Sequence, residues 1–478
     1  MIVTTSAPTV RLDEAPWLAG LTPSAVAEAL REMPGLALLE SARPGRNARW
    51  SFVSADPLAV VDEPSAGADP LAGARDLLQR LDPGSPVWSP GDGAVLVPPF
   101  LGGLMGILSY DLGRRFERLP ELARADQDLP QLRLALHDWV VAFDRRDGRV
   151  WLAGRAMDGD AARLDRRLAD VRARLREATA DTSSSAEPPD APTGILFRSG
   201  LDRPAYESGV RAVRAAIARG EIYQANLTRR LEAPFDADPW PLYHRLRGGD
   251  PSLFAAYLDL GPDPATAAPR AIISASPEPF LSVDRDGAVA TDPIKGTRPR
   301  GRTRAEDREL ARELLCSVKD RAENVMIVDV LRNDLGRACR PGSIRVPRLC
   351  RLERTDAVQH LVTTITGRLE AGRDALHLLA ASFPGGSITG APKIRAMEIL
   401  ERLEPVRRGP YAGCAGWISP DGAMRTSILI RTFVADGRRL SLHVGGGITW
   451  GSDPAAEWEE TVAKARGPLR AIGATEAS

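Results

Sequence analysis

The sequence predicts a fold of mixed α and β structure in which strands and helices do not alternate strictly, and three observations carry that expectation. Short apolar runs such as ARWSFVSADPLAVVD and VWLAGRA read as strands. Longer stretches such as PLAGARDLLQRL and DAARLDRRLADVRARLREA place their apolar residues at helical spacing. The 478 residues, 43% hydrophobic and 26% charged, suffice for an ample core in roughly two to three domain-sized units.

Taken in order, the first part of the chain mixes both kinds of element. Residues 177–196, EATADTSSSAEPPDAPTGIL, are rich in Ser, Pro, Ala and Asp with almost no large apolar side chains, and read as an exposed linker or long loop. The chain thus divides into 1–176, the linker 177–196, and 197–478. Beyond the linker, YESGVRAVRAAIARGEIYQANLTRRLEA reads as a helix, a short Gly-Glu break and a strand. AIISASPEPFLSVDRDGAVATDPIKGT reads as a hairpin turning at RDG. The sequence has no internal repeat.

Sixty-three basic residues balance sixty-three acidic ones, so there is no global electrostatic reason to expect nucleic acid or an anionic membrane as partner. The start, MIVTTSAPTVRLDEAPW, lacks the basic and apolar regions of a signal peptide, and no run approaches the roughly eighteen apolar residues of a membrane span. A cytoplasmic location is expected. Four cysteines without CxxC spacing and five histidines without HxxxH spacing argue against disulfides and structural zinc. Only four of the sixty-three basic residues are lysine: Lys295, Lys319, Lys393 and Lys464. A drift toward arginine leaves lysine where a compact ammonium, or an amine that can lose its proton, is required.

Two acidic clusters stand out. In SVKDRAENVMIVDVLRNDLGR, Asp320 and Glu323 are three apart on an expected helix and share a face. In GSDPAAEWEETVAKARGPL, Asp453 is expected to cap a helix with Pro454 at its first position, which sets Glu457 and Glu460 three apart and Lys464 one turn on. Either alone reads as an ordinary solvated helix face; two together, without nearby His or Cys, suggest hard oxygen ligands and so Mg²⁺. Three glycine-rich segments, PIKGTRPRG, PGGSITGAPK and HVGGGITWGSDP, read singly as turns, and the second departs from a phosphate loop because Pro392 precedes the lysine and no Ser or Thr follows it. Arg431 in ILIRTF ends a strand-like run, where its planar fork could grip a carboxylate. Glu278, His360 and Lys295, taken together, resemble an acid, base and nucleophile set.

SASPEPF, PIKGTRPRG, KDRAENVMIVDVLRNDLGR, VQHLVTTITG, FPGGSITGAPKIRAMEILE, ILIRT and GGGITWGSDPAAEWEETVAKA, in that order, resemble the chorismate-using enzymes: anthranilate, aminodeoxychorismate, isochorismate and salicylate synthases. The resemblance runs through residues 197–474, and ALLESARPGRNARWSFVSADP and FLGGLMGILSYDLGRRFE resemble, more weakly, the family's N-terminal region. It implies an α+β, anthranilate-synthase-like fold: two large, mostly antiparallel β-sheets packed face to face, helices outside, the site between them. It implies Glu323 and Glu460 as direct Mg²⁺ ligands, with Asp320 and Glu457 supporting through water, the metal holding the ring carboxylate of chorismate and weakening the C4 hydroxyl bond. Arg431, Lys464, Tyr411 and the amides of Gly445, Gly446 and Gly447 would hold the enolpyruvyl carboxylate. Gly296 and Thr297 would line the ring, Glu278 would protonate the departing hydroxyl, and His360 corresponds to the family's active-site histidine.

Two positions sort the members. Isochorismate and salicylate synthases carry a water-activating lysine where this chain has Gln224, and an amide cannot take that proton, so ammonia is the implied nucleophile. Anthranilate synthases carry alanine where this chain has Lys295. The lysine form resembles aminodeoxychorismate synthase component I, in which the amine attacks C2 as the C4 hydroxyl leaves, and ammonia then enters at C4 and expels the lysine. The resemblance therefore implies Mg²⁺-dependent amination of chorismate to 4-amino-4-deoxychorismate for 4-aminobenzoate and folate, with anthranilate synthase component I as the alternative. Asn324, where anthranilate synthases show His, points the same way. Arg425 departs from the family's acidic residue before TSI. The LLES element resembles the tryptophan pocket of anthranilate synthases, leaving a held tryptophan and no ligand both open. With no HxE and no glutaminase-type GxCxG elbow in the sequence, a separate glutamine amidotransferase subunit is expected to supply ammonia.

Overall fold

A computed structural model describes residues 9–45, 47–84, 97–180, 192–355 and 358–477. Its strands form one sheet of thirteen and one of ten. The ladders are antiparallel apart from the two-residue parallel pairing of Thr475–Glu476 with Leu196–Ser199. The elements that build the site are strands β1 (Gln224–Pro234), β2 (Ile294–Pro299), β3 (Val358–Arg368) and β4 (Arg439–Ile448), and helices α1 (Val318–Gly336), α2 (Lys393–Leu403) and α3 (Pro454–Ala471). β1 and β4 pair in the large sheet; β2 and β3 pair in the small one.

The strand Trp139–Asp144 shows how the layers are made. All six of its residues are buried. Because successive side chains point to opposite faces, Trp139, Val141 and Phe143 enter a core beneath outer helices, whereas Val140 and Ala142 enter the core between the sheets. That middle core joins Phe52, Leu258, Ile272 and Val434 of the large sheet to Met105, Ile107, Ala415 and Trp417 of the small one. A further core lies under helices on the outer face of the small sheet. The expected sandwich with helices outside is therefore present.

Of the places where the chain passes between the sheets, two neighbour each other beside the site. Pro269–Ser276 belongs to the large sheet and Pro279–Val283 to the small one, so the crossing is Pro277–Glu278. Met424–Ile428 and Thr432–Asp436 cross in the opposite direction through 429–431. Hydrogen bonds tie the two crossings together: Ile428 N donates to Glu278 O at 3.0 Å and Ala275 N to Arg431 O at 3.0 Å.

Several expectations are corrected here. The RDG hairpin joins only Pro279–Val283 to Ala288–Thr291, and the preceding strand lies in the other sheet. Prolines 277 and 279 lack the N–H a continuous ladder needs. The helix Ala161–Ala180 runs four residues into the stretch read as linker, and 181–191 lie outside the described residues. Strands from before and after that stretch share both sheets. Two of the three glycine segments are strands rather than turns, since Lys295–Gly296–Thr297 lies in β2 and Gly445–Gly447 in β4. Among the described residues no helix is long and apolar enough to cross a membrane.

Candidate active site

A cavity of about 780 Å³ opens between the two crossings, strands β2 and β4, and helices α1 and α3. Fourteen of the sixteen sequence-derived site residues line it; Gln224 and Gly446 do not. Glu278 hangs from the first crossing, 8% exposed. Arg431 sits on the second in left-handed backbone, φ 49°, a conformation a side chain adopts at a local cost of about 1 kcal/mol or more. This half-exposed arginine reaches Asp250 at 3.4 Å.

Lys295 projects from β2, and its Nζ donates to the Ser387 carbonyl at 2.8 Å. Burial pushes its pKa down, against the opposing pull of Glu278 and Glu323. Burial pushes Glu278 up, against the pull of Lys295. The two shifts run toward a neutral amine beside a protonated acid, the pairing that nucleophile and general acid each require. Gly296 has φ 76°, and an added Cβ would lie 3.0 Å from Cβ of Asp320 and 2.9 Å from Cδ1 of Leu314, so α1 can approach β2 only at glycine. Thr297 Oγ1 and His360 Nδ1 are 3.0 Å apart across the β2–β3 ladder. Burial, with Arg43 and Arg431 nearby, brings His360 down to about 4 and keeps it neutral at physiological pH.

The acidic face comes from α1 and α3. Asp453 caps α3 by accepting from Ala456 N at 2.9 Å, as its sequence predicts. Glu457 is buried at 5% exposure, and burial raises both Glu457 and Glu323. Burial also acts upward on Glu460, but Lys464, 2.7 Å away, outweighs it and holds that carboxyl low. Lys464 also donates to Gly445 O at 2.8 Å. Arg298 donates to Asp320 at 3.2 Å, and Lys319 stands 3.9 Å from Glu323. Glu323 Oε1 is buried without a hydrogen-bond partner. These hard oxygen donors, one of them orphaned, fit a divalent cation such as Mg²⁺. Lysines share the face, and among the described residues no three His, Cys, Asp or Glu side chains are already gathered as a metal cluster.

Tyr411 is buried and stacked on His443 at 4.9 Å, which pushes its phenol up to about 12 by burial. An added Cβ at Gly446 would lie 2.9 Å from Glu457 Oε2, so this glycine lets α3 settle on β4 without lining the cavity. Gln224 is 1% exposed behind Gly447, its Oε1 without a partner. Asn324 lies outside the cavity, buried and accepting from Thr363 Oγ1 at 2.5 Å. Residues the sequence reading missed include Asn226, Asp250, His443 and Ser387. Ser387 lies in the glycine segment read as a turn, and what it offers Lys295 is a backbone carbonyl that no residue type announces.

The LLES element borders a smaller cavity of about 60 Å³, also between the sheets, with Glu40, Trp50, Phe52, Trp417 and Arg425 in its wall. Glu40 is already engaged, accepting from Arg247 at 2.7 Å and from Tyr243 at 2.8 Å.

A family model described as chorismate binding enzyme matches residues 38–470. Anthranilate synthase component 1 of Streptomyces coelicolor is 41% identical over 446 residues, covering 91% of this chain and 83% of the relative. Aminodeoxychorismate synthase component 1 of Salmonella typhimurium is 42% identical over 372 residues, covering 77% and 76%. The solved structure of anthranilate synthase component I from Streptococcus pneumoniae superposes with a TM-score of 0.74 at 28% identity, over 89% of this chain and 93% of that one. The menaquinone-specific isochorismate synthase of Escherichia coli, at 19% identity and a TM-score of 0.71 over 98% and 95% of the two chains, shares the fold.

Proposed function

Because the chain belongs to the chorismate binding enzyme family, we propose that it converts chorismate and ammonia to 4-amino-4-deoxychorismate and water, with Lys295 as a covalent nucleophile. The observation that carries this reading is the Lys295 amine inside the cavity, its pKa lowered by burial and its charge coupled to Glu278. The neutral amine forms an N–C2 bond, both ring double bonds shift by one position, and the C4–O bond breaks as Glu278 gives its proton to the departing hydroxide. Ammonia then bonds to C4, both double bonds return, the C2–N bond to Lys295 breaks, and the new C4 ammonium returns a proton to the Glu278 carboxylate. An arginine could not play this part, since it does not surrender its proton. Arg431, Lys464 and Tyr411 would orient the enolpyruvyl carboxylate against the amides of β4.

Glu323 and Glu460 would hold Mg²⁺, with Asp320 and Glu457 behind them. When bound, the ion would supply charge for the ring carboxylate and Lewis acidity toward the C4 oxygen. A glutamine amidotransferase subunit would deliver the ammonia, and the product would serve 4-aminobenzoate and folate synthesis in the cytoplasm.

The second reading is anthranilate synthase, favoured by relatives of that name at similar identity and greater coverage. Product identification by mass and fluorescence, with chorismate, Mg²⁺ and excess ammonium, separates the two. Aminodeoxychorismate from the wild type, lost or diverted to anthranilate in Lys295→Ala, is the expected result. Anthranilate and pyruvate from the wild type, or an unchanged variant, would sink the proposal.

A further inference from the structure

Of the four lysines, Lys393 takes no part in the reading above, yet it is among the most buried cations of the chain. Its Nζ donates to Asp334 Oδ2 at 2.7 Å and to the Ser382 carbonyl at 2.8 Å, with the two side chains 10% and 4% exposed. Lys393 opens α2, and Ser382 ends the helix Ala375–Ser382. One ammonium therefore closes both ends of the segment 383–392 and clips it to Asp334 on α1, the helix that carries Asp320 and Glu323.

Inside that segment the packing is tight. A Cβ added at Gly386 would lie 2.7 Å from Val330 Cγ1 and 3.9 Å from Asp334 Oδ2, both on α1. The next residue is Ser387, whose carbonyl accepts from Lys295 and whose side chain lies beside Glu278, where it favours the charged carboxylate. On the far side Arg408 donates to the Ile388 carbonyl at 3.0 Å and to the Asn226 carbonyl at 2.6 Å. The segment that touches both proposed reacting groups thus has no loose end.

We infer that Asp334 and Lys393 are positioning residues: through the 383–392 segment they hold the Ser387 carbonyl against the Lys295 amine and so aim it into the cavity. This rests on the reading of Lys295 as nucleophile. A buried ion pair is weak evidence for stability by itself, and this one is spent on the backbone that grips the amine. It also accounts for lysine at 393. The two acceptors, a carboxylate and a carbonyl from different elements, suit a compact ammonium with independent donors better than a planar fork.

The test is the double variant Asp334→Asn/Lys393→Met, which leaves neither charge buried alone, with Asp334→Asn as a second variant should the double fail to fold. Brief acetic anhydride labelling followed by peptide mass spectrometry reads Lys295 against exposed Lys319 as internal reference. In the folded variant the Lys295 to Lys319 labelling ratio should rise at least about threefold, because the amine loses the carbonyl that shields it and favours its charged form. The kcat should fall about tenfold or more with KM for chorismate within about twofold. In a Lys295→Ala background the same double change should cost less than about twofold further. A wild-type labelling ratio in a folded variant, or the same fall in kcat without Lys295, would overturn the inference. Full activity of Lys295→Ala would instead remove the nucleophile reading, and the labelling ratio would still decide whether the pair positions the amine.

Discussion

Two cavities lie between the same two sheets, and they differ in what the burial is used for. The larger, about 780 Å³, is walled by Lys295, Glu278, Glu323 and Glu457, whose pKa values burial moves away from their ordinary ranges. The smaller, about 60 Å³, holds room for roughly two waters. Rings fill the rest: Phe52 packs edge-on against Trp417 at 5.8 Å, Trp50 stacks on Phe52 at 6.4 Å, and the Arg425 guanidinium covers Phe254 at 5.5 Å. Identical architecture thus keeps one gap open, where helix carboxylates and crossing loops meet, and closes the other by packing. Position between the sheets does not make a site; uncompensated polar groups do.

The contrast predicts opposite consequences for substitutions in the two walls. Glu278→Gln should lower kcat by about 10²–10⁴-fold with a near-native melting temperature, since it removes a proton donor and no volume. A comparable loss of stability would put Glu278 with the packing residues instead. Trp417→Ala, in the small cavity's wall and 6% exposed, should cost roughly 3–5 kcal/mol in denaturant unfolding while leaving kcat/KM of the folded fraction within about twofold. A large drop in activity at intact stability would erase the distinction.

The polar cavity should also reveal itself through pH. His360 binds its proton at about 4 in the folded chain, against about 6.5 when unfolded. Between those values the unfolded state binds more protons, so stability falls as pH falls, by about 2 kcal/mol from pH 6.5 to pH 5. His360→Gln should flatten that part of the unfolding curve, and an unchanged acid limb would contradict the burial assigned to this ring. The smallest effect is expected at the aromatic cavity, where free tryptophan should shift the melting temperature by less than about 1 °C, since it finds no room to bind. A clear shift would mean that the cavity opens.

Much of this was legible in the sequence. The cap at Asp453, the shared faces of Asp320 with Glu323 and of Glu457 with Glu460, and the RDG turn follow from local periodicity and capping rules. Lysine scarcity pointed alike to Lys295, Lys319, Lys393 and Lys464, without telling which of them act. The crossings were not legible as such. Prolines 277 and 279 signal a broken ladder, but only the opposite sheet explains where the chain goes next. The glycine segments of β2 and β4 read as turns because their cause is distant: Gly296 admits α1, and Gly446 admits the carboxylates of α3. Gln224 was expected in the cavity as an uncharged stand-in for a base; it lies behind the β4 glycines, whose lack of side chains makes that space.

The sharing of both sheets by strands from either side of residues 177–196 has a consequence for anyone wishing to cut this protein in two. The earlier portion contributes a contiguous block to each sheet, and the seams run through Ala37–Glu40 paired with Phe254–Pro262 and through Gly103–Leu108 paired with Cys414–Ile418. Expressed alone, the later portion would present two long raw edges of unpaired N–H and C=O groups, each a template for the next molecule's strand. The residues before 177 thus cover both of those edges, and a shorter functional chain is to be sought by trimming outer helices rather than by dividing the chain.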